Sequence, residues 1–291
     1  MRFIDQIQEK LWGIAPWDPR KMTDEWVRIH FEYAADVVQA WLGSVMDVKQ
    51  SRLLEFGCGD SVTDLGLVLR HDVQSIHCVD VMEGYLRLPG VALQQLGMRR
   101  LPTALSFQTI TPGETLAGQK PLYDGITSWS VFEHVNRDQV LPILKDLYQC
   151  LKPGGYFFLQ IEPLFYSPYG SHLRRFSEVP WHHLLVDEDE LWRAVQSYQD
   201  GMKADEADLA YGELGLEKYK RYIFDEYQVL NKLTADELTD LVGQAGFQIV
   251  REERRHAEMS TSIPEVLLQQ YPSDVLTNNE ILLLMQKPAA T

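Results

Sequence analysis

A short apolar run, Arg52-Leu53-Leu54-Glu55-Phe56, breaks off at Gly57-Cys58-Gly59 and leads into a helical stretch. No other feature of the chain restricts its fold as much. Glycines at the end of a strand let the backbone turn tightly and approach a ligand without a Cβ in the way. The helix that follows points its free N–H groups back at the turn.

The same rhythm recurs along the chain. Residues 75–81, 105–110, 123–131 and 155–161 are four more short apolar runs, with stretches of helical length between them. The clearest is 136–152, where Val140, Leu141, Leu144, Leu147 and Leu151 share one face before Pro153-Gly154-Gly155. Strands that alternate with helices predict right-handed βαβ units and a parallel sheet covered on both faces. Ahead of this pattern, 23–43 reads as an amphipathic helix with Thr23 as its N-cap and Gly43 as its stop. After the fifth run the alternation lapses over 164–232, a segment rich in aromatics and histidine with helical patterns at 187–199 and 214–230. Thr234 and Glu237 form a capping-box signature for a helix closing near Gly246, and 247–254 and 280–287 read as final strands. The expectation is an α/β fold with a mostly parallel seven-stranded sheet, helices on both faces and a helical insertion. Its parts are an N-terminal helical cap (1–48), a main domain (49–163 with 233–291) and the insertion (164–232).

Composition bounds the function. Twenty-seven basic residues against 42 acidic ones give a net charge of −15, and an acidic chain repels phosphate backbones at long range. The basic clusters (Arg99-Arg100, Arg174-Arg175, Arg251 to Arg255) are short, so neither nucleic acid nor an anionic membrane is expected as a partner. Charges interrupt every apolar run near the N-terminus, and no stretch reaches the ~18 apolar residues of a membrane span. Cys58, Cys78 and Cys150 form no CxxC pair. The reading is a cytoplasmic protein with reduced thiols.

Dinucleotide enzymes want a third glycine in G-x-G-x-x-G, and here Val62 stands in its place. With Glu55-Phe56-Gly57-Cys58-Gly59, the chain instead resembles the class I S-adenosylmethionine-dependent methyltransferase family, whose first motif is an acid followed by G-x-G. Three further motifs carry the resemblance. Asp80 ends the second strand 21 residues after Gly59; Trp129 to Val135 (WSVFEHV) ends the fourth; Leu151-Lys152-Pro153-Gly154-Gly155 precedes the fifth. The resemblance implies a Rossmann-like methyltransferase fold and S-adenosylmethionine as cofactor. It places that cofactor along Glu55, Gly57, Cys58, Gly59, Asp60 and Ser61, along Asp80, Val81 and Met82, and at Ser130 and Val131. Asp80 would hold the ribose, although it also reads as a plain turn residue. The acid expected after the third strand to bind adenine is missing, which leaves that contact to Gln108, a backbone group or another residue.

If the acceptor is a hydroxyl, a base must take its proton, and histidine is the usual choice near neutral pH. His134, His172 and His182 are the candidates. Glu133, Tyr166, Tyr169, Trp181 and His183 are candidates to bind the acceptor. The stretch Ser167-Pro-Tyr-Gly-Ser-His172 with Pro180-Trp181-His182-His183-Leu184-Leu185 is similar to methyltransferases of glycan and natural-product pathways. Glu133-His134 is also similar to a Glu-x-x-Glu-His pattern that holds a divalent metal, but Ser130 replaces the first glutamate, so no metal is expected. The expected reaction is methyl transfer to oxygen or nitrogen of a small polar acceptor, by a monomer or homodimer. The rivals are a nicotinamide oxidoreductase, a non-catalytic S-adenosylmethionine binder and a protein methyltransferase.

Overall fold

The computed structural model describes residues 15–118, 122–199, 201–259 and 261–289. The first 14 residues of the expected N-terminal cap lie outside these. Seven strands form one sheet in the order β3-β2-β1-β4-β5-β7-β6: β1 Arg52–Phe56, β2 Ser75–Asp80, β3 Leu105–Thr109, β4 Tyr123–Trp129, β5 Leu151–Ile161, β6 Gln248–His256 and β7 Asn278–Gln286. β1 runs parallel to β2 and β4, β2 runs parallel to β3, and β6 pairs antiparallel with β7. The mostly parallel α/β sheet is the one expected. Strand β5 starts four residues earlier than its apolar run, because Leu151 to Gly154 already lie in strand conformation.

Two compact units emerge from the contacts. One takes the chain up to Trp129, Gln149–Phe158 and the last residues; the other takes Ser130–Tyr148 and Leu159–Pro288.

The first unit opens with a continuous helix, α1, over 25–42. Asp24 rather than Thr23 is its N-cap: the Asp24 carboxylate accepts the Val27 N–H, while the Thr23 N–H is itself tied to Gln95. The middle of α1, Ile29–Ala34, widens to a π-helix. A widened turn leaves carbonyls without their usual partners, and Arg70 takes them up: its guanidinium donates to Phe31 O (3.2 Å) and Glu32 O (2.8 Å). Arg70 belongs to the helix α2 Val62–His71, whose Leu65, Leu67 and Val68 are buried. Helix α3 Leu88–Leu96 links β2 to β3.

In the second unit, the helix α4 Arg137–Cys150 leads to β5. The helices α5 Glu188–Ser197 and α6 Leu216–Val229 bring Leu191, Val195, Tyr219, Ile223 and Phe224 into a core with Phe165, Leu173 and Phe176. The helix α7 Ala235–Ala245 opens with the expected capping box between Thr234 and Glu237. Residues Ile281 to Met285 of β7 are fully buried, as befits a strand inside a sheet. Among the described residues, no helix is long and apolar enough to cross a membrane.

Candidate functional site

The turn after β1 is held in an unusual backbone conformation. Gly57, Gly59 and Ser61 all have positive φ (81°, 52° and 59°), which glycine adopts without cost and serine does not. Val79 O accepts from both Gly57 N (2.8 Å) and Cys58 N (3.1 Å), so β2 clamps the turn from its side. Asp60 closes it, accepting from Val62 N (3.0 Å) and from the Trp26 indole (3.3 Å) of α1. Asp80, at the end of β2, reaches back: one carboxylate oxygen accepts Gly59 N, the other Met82 N, both at 2.7 Å.

Four acids gather on this turn. Glu55 is buried and accepts the Thr127 hydroxyl from β4. Burial pushes its carboxyl well above the usual range, and the charge of Asp64 adds to the push. Asp64, on the first turn of α2, is raised to about 7 by burial, against the bond donated by the Ser61 hydroxyl at 2.7 Å. Asp80 is also raised by burial, opposed by its backbone bonds and reinforced by the nearby Asp60. Val81 and Met82 leave apolar surface exposed beyond Asp80. Close by, Tyr85 stacks on Phe107 (5.0 Å between ring centroids) and bonds Thr109 (2.6 Å). Gln108 interacts with His77 instead, partway along β2.

In the second unit, a turn of 3-10 helix, Phe132–His134, follows Ser130 and Val131. Ser130 adopts a positive φ of 50° and bonds Gln160 through both backbone (3.0 Å) and hydroxyl (3.0 Å). Asn231 pins the turn: its side chain donates to Phe132 O (2.5 Å) and Val135 O (2.9 Å), and its N–H to Glu133 O (3.0 Å). Glu133 is 6% exposed, yet neither carboxylate oxygen has a partner. The rings of His134 and His172 lie 5.1 Å apart. His134 Nδ1 is 3.3 Å from a Glu226 oxygen, an ion-pair distance whose angles fall short of a hydrogen bond. His172 Nε2 is buried without a partner. Burial holds the His172 imidazole well below its usual pKa, and His134 and Arg175 push the same way. Burial would lower His134 too, but Glu226 and Glu133 outweigh it and the net shift is upward. One atom from each of Glu133, His134 and His172 lies within 4.8 Å of the others.

His172 reaches this position through a bend that only glycine permits. A Cβ on Gly170 would sit 2.1 Å from Phe165 O and 2.2 Å from Leu164 O, and His172 itself has φ of 61°. Beside Glu133 a small, partly open cleft is lined by Glu133, Phe165, Gly170, Asn231, Lys232 and Leu238.

Other insertion residues have structural partners. Trp181 is 1% exposed, packs with Leu267 and Leu276, and donates its indole N–H to Leu276 O (3.0 Å). His183 bonds Phe165 O (2.7 Å), and burial lowers it to about 4. His182 pairs with the Ser177 hydroxyl (3.1 Å). Tyr166 packs on Phe165 and Tyr271, and Tyr169 lies under Arg174 with its hydroxyl on Glu178 O (3.4 Å). Of the residues singled out in the sequence, the structure brings Glu133, His134 and His172 together and leaves Trp181, His182 and His183 outside that group.

A methyltransferase-domain family model matches residues 26–252, well over half of the chain. The chain belongs to the methyltransferase-domain family. It is a class I S-adenosylmethionine-dependent methyltransferase, and S-adenosylmethionine is its cofactor. No curated protein matches it in sequence. Among solved structures, the [4+2]-cyclase SpnF is 14% identical, with a TM-score of 0.51 over 89% of this chain and 81% of its own. An S-adenosylmethionine-dependent methyltransferase from Methanosarcina mazei is 14% identical, with a TM-score of 0.48 over 87% and 98%. One from Mesorhizobium loti is 15% identical, with a TM-score of 0.47 over 88% and 99%. At such identities only the fold is shared.

The turn of this methyltransferase suits its cofactor chemically. A Cβ on Gly59 would meet nothing within 4 Å, so the space over the turn is open. Each Asp80 oxygen takes one backbone N–H and keeps a lone pair for a hydroxyl. A group of acids on one turn, with Asp64 raised to about 7, suits a ligand with a sulfonium and an ammonium. Sequence reasoning passed over Asp64, Trp26 and Glu226. Asp64 alone left a signal, as an acid on the first turn after the glycine motif.

Proposed function

We propose that this methyltransferase moves a methyl group to a hydroxyl, or an amine, of a small polar acceptor such as a sugar or natural product. The observation that carries this reading is the meeting of Glu133, His134 and His172, in which both Glu133 oxygens and His172 Nε2 are buried without a partner. Each such atom costs ~1–3 kcal/mol when left unsatisfied. A folded chain keeps several together where a ligand completes them, and two imidazoles with a carboxylate suit an acceptor that must lose a proton. Bound S-adenosylmethionine supplies the electrophilic methyl on its sulfonium.

In this reading Asp80 holds the ribose hydroxyls, and Glu55 and the turn Gly57, Cys58, Gly59, Asp60 and Ser61 cradle the methionine end. Val81 and Met82 give the adenine an apolar seat, and Ser130 and Val131 border the cofactor. Residues 164–232 form the acceptor lid, with Tyr166 and Tyr169 on it. The acceptor loses its proton at the His134–His172 cluster rather than at His182. Alignment of donor and acceptor supplies much of the rate, as in any in-line displacement.

The test is transfer of radiolabelled methyl to a panel of glycosides, aminosugars and phenols. We expect Asp80→Asn to raise the KM for S-adenosylmethionine with kcat little changed. His172→Ala should lower kcat by ~10²-fold or more, the usual weight of a general base. Label that moves only onto protein would point to a protein methyltransferase. Cofactor binding with no transfer to any acceptor would favour a binding protein; the likeness to a cyclase makes this a real outcome, since fold alone does not fix chemistry.

A further inference from the structure

We propose that Glu133, His134 and His172 form a binding site for a divalent first-row transition cation. The three side chains come from two places, a 3-10 turn after β4 and a glycine-dependent bend 38 residues further on, and converge within 4.8 Å. Three of their polar atoms, both Glu133 oxygens and His172 Nε2, are buried without a partner, while His134 Nδ1 faces Glu226 at 3.3 Å. Glu133 is 6% exposed, so its bare carboxylate cannot be satisfied by bulk water. A buried carboxyl group beside an unpaired imidazole nitrogen is costly without a cation and well matched to one.

The donor set selects the class of ion. Two imidazole nitrogens and one carboxylate oxygen suit Mn²⁺, Fe²⁺, Co²⁺ or Zn²⁺, whereas Mg²⁺ and Ca²⁺ prefer all-oxygen shells. Bonds of about 2.1 Å place neighbouring ligand atoms about 3 to 3.5 Å apart, so the side chains would close in by modest rotations. The surroundings are built to hold them. Asn231 fixes the backbone on both sides of Glu133 through three hydrogen bonds, and Glu226, 3.3 Å from His134 Nδ1, would hold that ring as an outer carboxylate while Nε2 served as the ligand. Three protein ligands leave coordination positions open for water or for acceptor oxygens. An oxygen so bound would lose its proton more readily; the imidazoles holding the cation would then position the acceptor rather than take its proton, and the cation site itself rests on the cluster alone.

The experiment is titration of the metal-stripped full chain with Co²⁺, without cofactor or acceptor, followed by visible absorbance and by calorimetry. We expect one Co²⁺ per chain, d–d bands of an imidazole-containing site, and a rise in thermal midpoint with added Co²⁺. Mg²⁺ at the same concentration should produce no heat. His172→Gln and Glu133→Gln should each weaken Co²⁺ at least tenfold while keeping the far-UV circular dichroism of the parent. Asp80→Asn should bind Co²⁺ as the parent does, which separates this outcome from failure of the cofactor reading. Absence of saturable Co²⁺ binding by the parent overturns the proposal. So does binding that a folded His172→Gln variant retains in full, since that metal would sit elsewhere.

Discussion

Asp64 ties the stability of the first unit to pH. Its folded pKa, about 7, lies above the ordinary carboxyl value of 3.8. The folded state therefore holds a proton that the unfolded chain releases. The stability this group lends is fully present below about pH 4 and is lost as pH rises through 7. Asp64→Asn should thus melt like the parent at pH 4 and higher than it at pH 8, by a few kcal/mol at most, in thermal scans across that range. An equal shift at both pH values would show that Asp64 is not the group responsible. Gly170 makes a second case. Adding a methyl 2.1 Å from the Phe165 carbonyl oxygen forces the backbone to move, and overpacking of this kind costs ~1–3 kcal/mol. Gly170→Ala should lower the urea midpoint and, because His172 lies two residues on, also lower methyl transfer. What was legible at this scale was local. The glycine turn and Asp80 announce themselves through spacing along neighbouring strands. The meeting of His134 with His172 depends on two left-handed backbone positions and a glycine bend, which no periodicity records.

At the scale of elements, α1 and α2 show how an irregular helix is made stable. The π-turn at Ile29–Ala34 survives because one guanidinium satisfies the carbonyls it frees. Asp36 and Arg70 extend the contact: burial would raise the Asp36 carboxyl, yet the bonds from Arg70 and His71 bring it below its usual value. Arg70→Met keeps the apolar stem and removes these bonds. It should cost ~1.5–3 kcal/mol, the range for bonds to a charged group, read from chemical denaturation. Loss of less than ~0.5 kcal/mol would mean that water caps the π-turn equally well. Periodicity placed helices at 23–43 and 136–152, which fold as 25–42 and 137–150, but it did not show the widened turn. A single extra residue per turn barely changes the apolar stripe. The cap moved from Thr23 to Asp24 for a similar reason: both residues favour that position, and the competition is settled by Gln95, 71 residues away from Asp24.

Across the whole molecule, a net charge of −15 makes the folded chain repel itself. Salt screens that repulsion over about 10 Å at 0.1 M. The melting temperature should therefore rise between 20 mM and 300 mM sodium chloride, and a fall would mean that its surface ion pairs outweigh the repulsion. The sheet was readable at this scale because most of its strands are short apolar runs bounded by turn residues; β6, largely exposed and rich in charge, is the exception. The sequence does not spell out the antiparallel placing of β7 between β5 and β6, since apolar runs carry no direction.

The crowd of carboxyl groups around Gly57–Ser61 has one more consequence, which concerns protons in solution rather than the fold. Burial lifts Asp64 to about 7 and pushes Glu55 upward as well, so near neutral pH Asp64 still holds part of a proton that an ordinary carboxyl would have lost. A ligand that brings positive charge to such a place drives that proton into the solvent. Taking up the cofactor is then an exchange of cations, and the measured heat must depend on which buffer catches what is expelled. Calorimetry in phosphate and in Tris at pH 6.5 should give different enthalpies, and affinity should climb as the solution is made more alkaline toward pH 8. Identical heats in the two buffers would mean that the cofactor arrives without displacing anything.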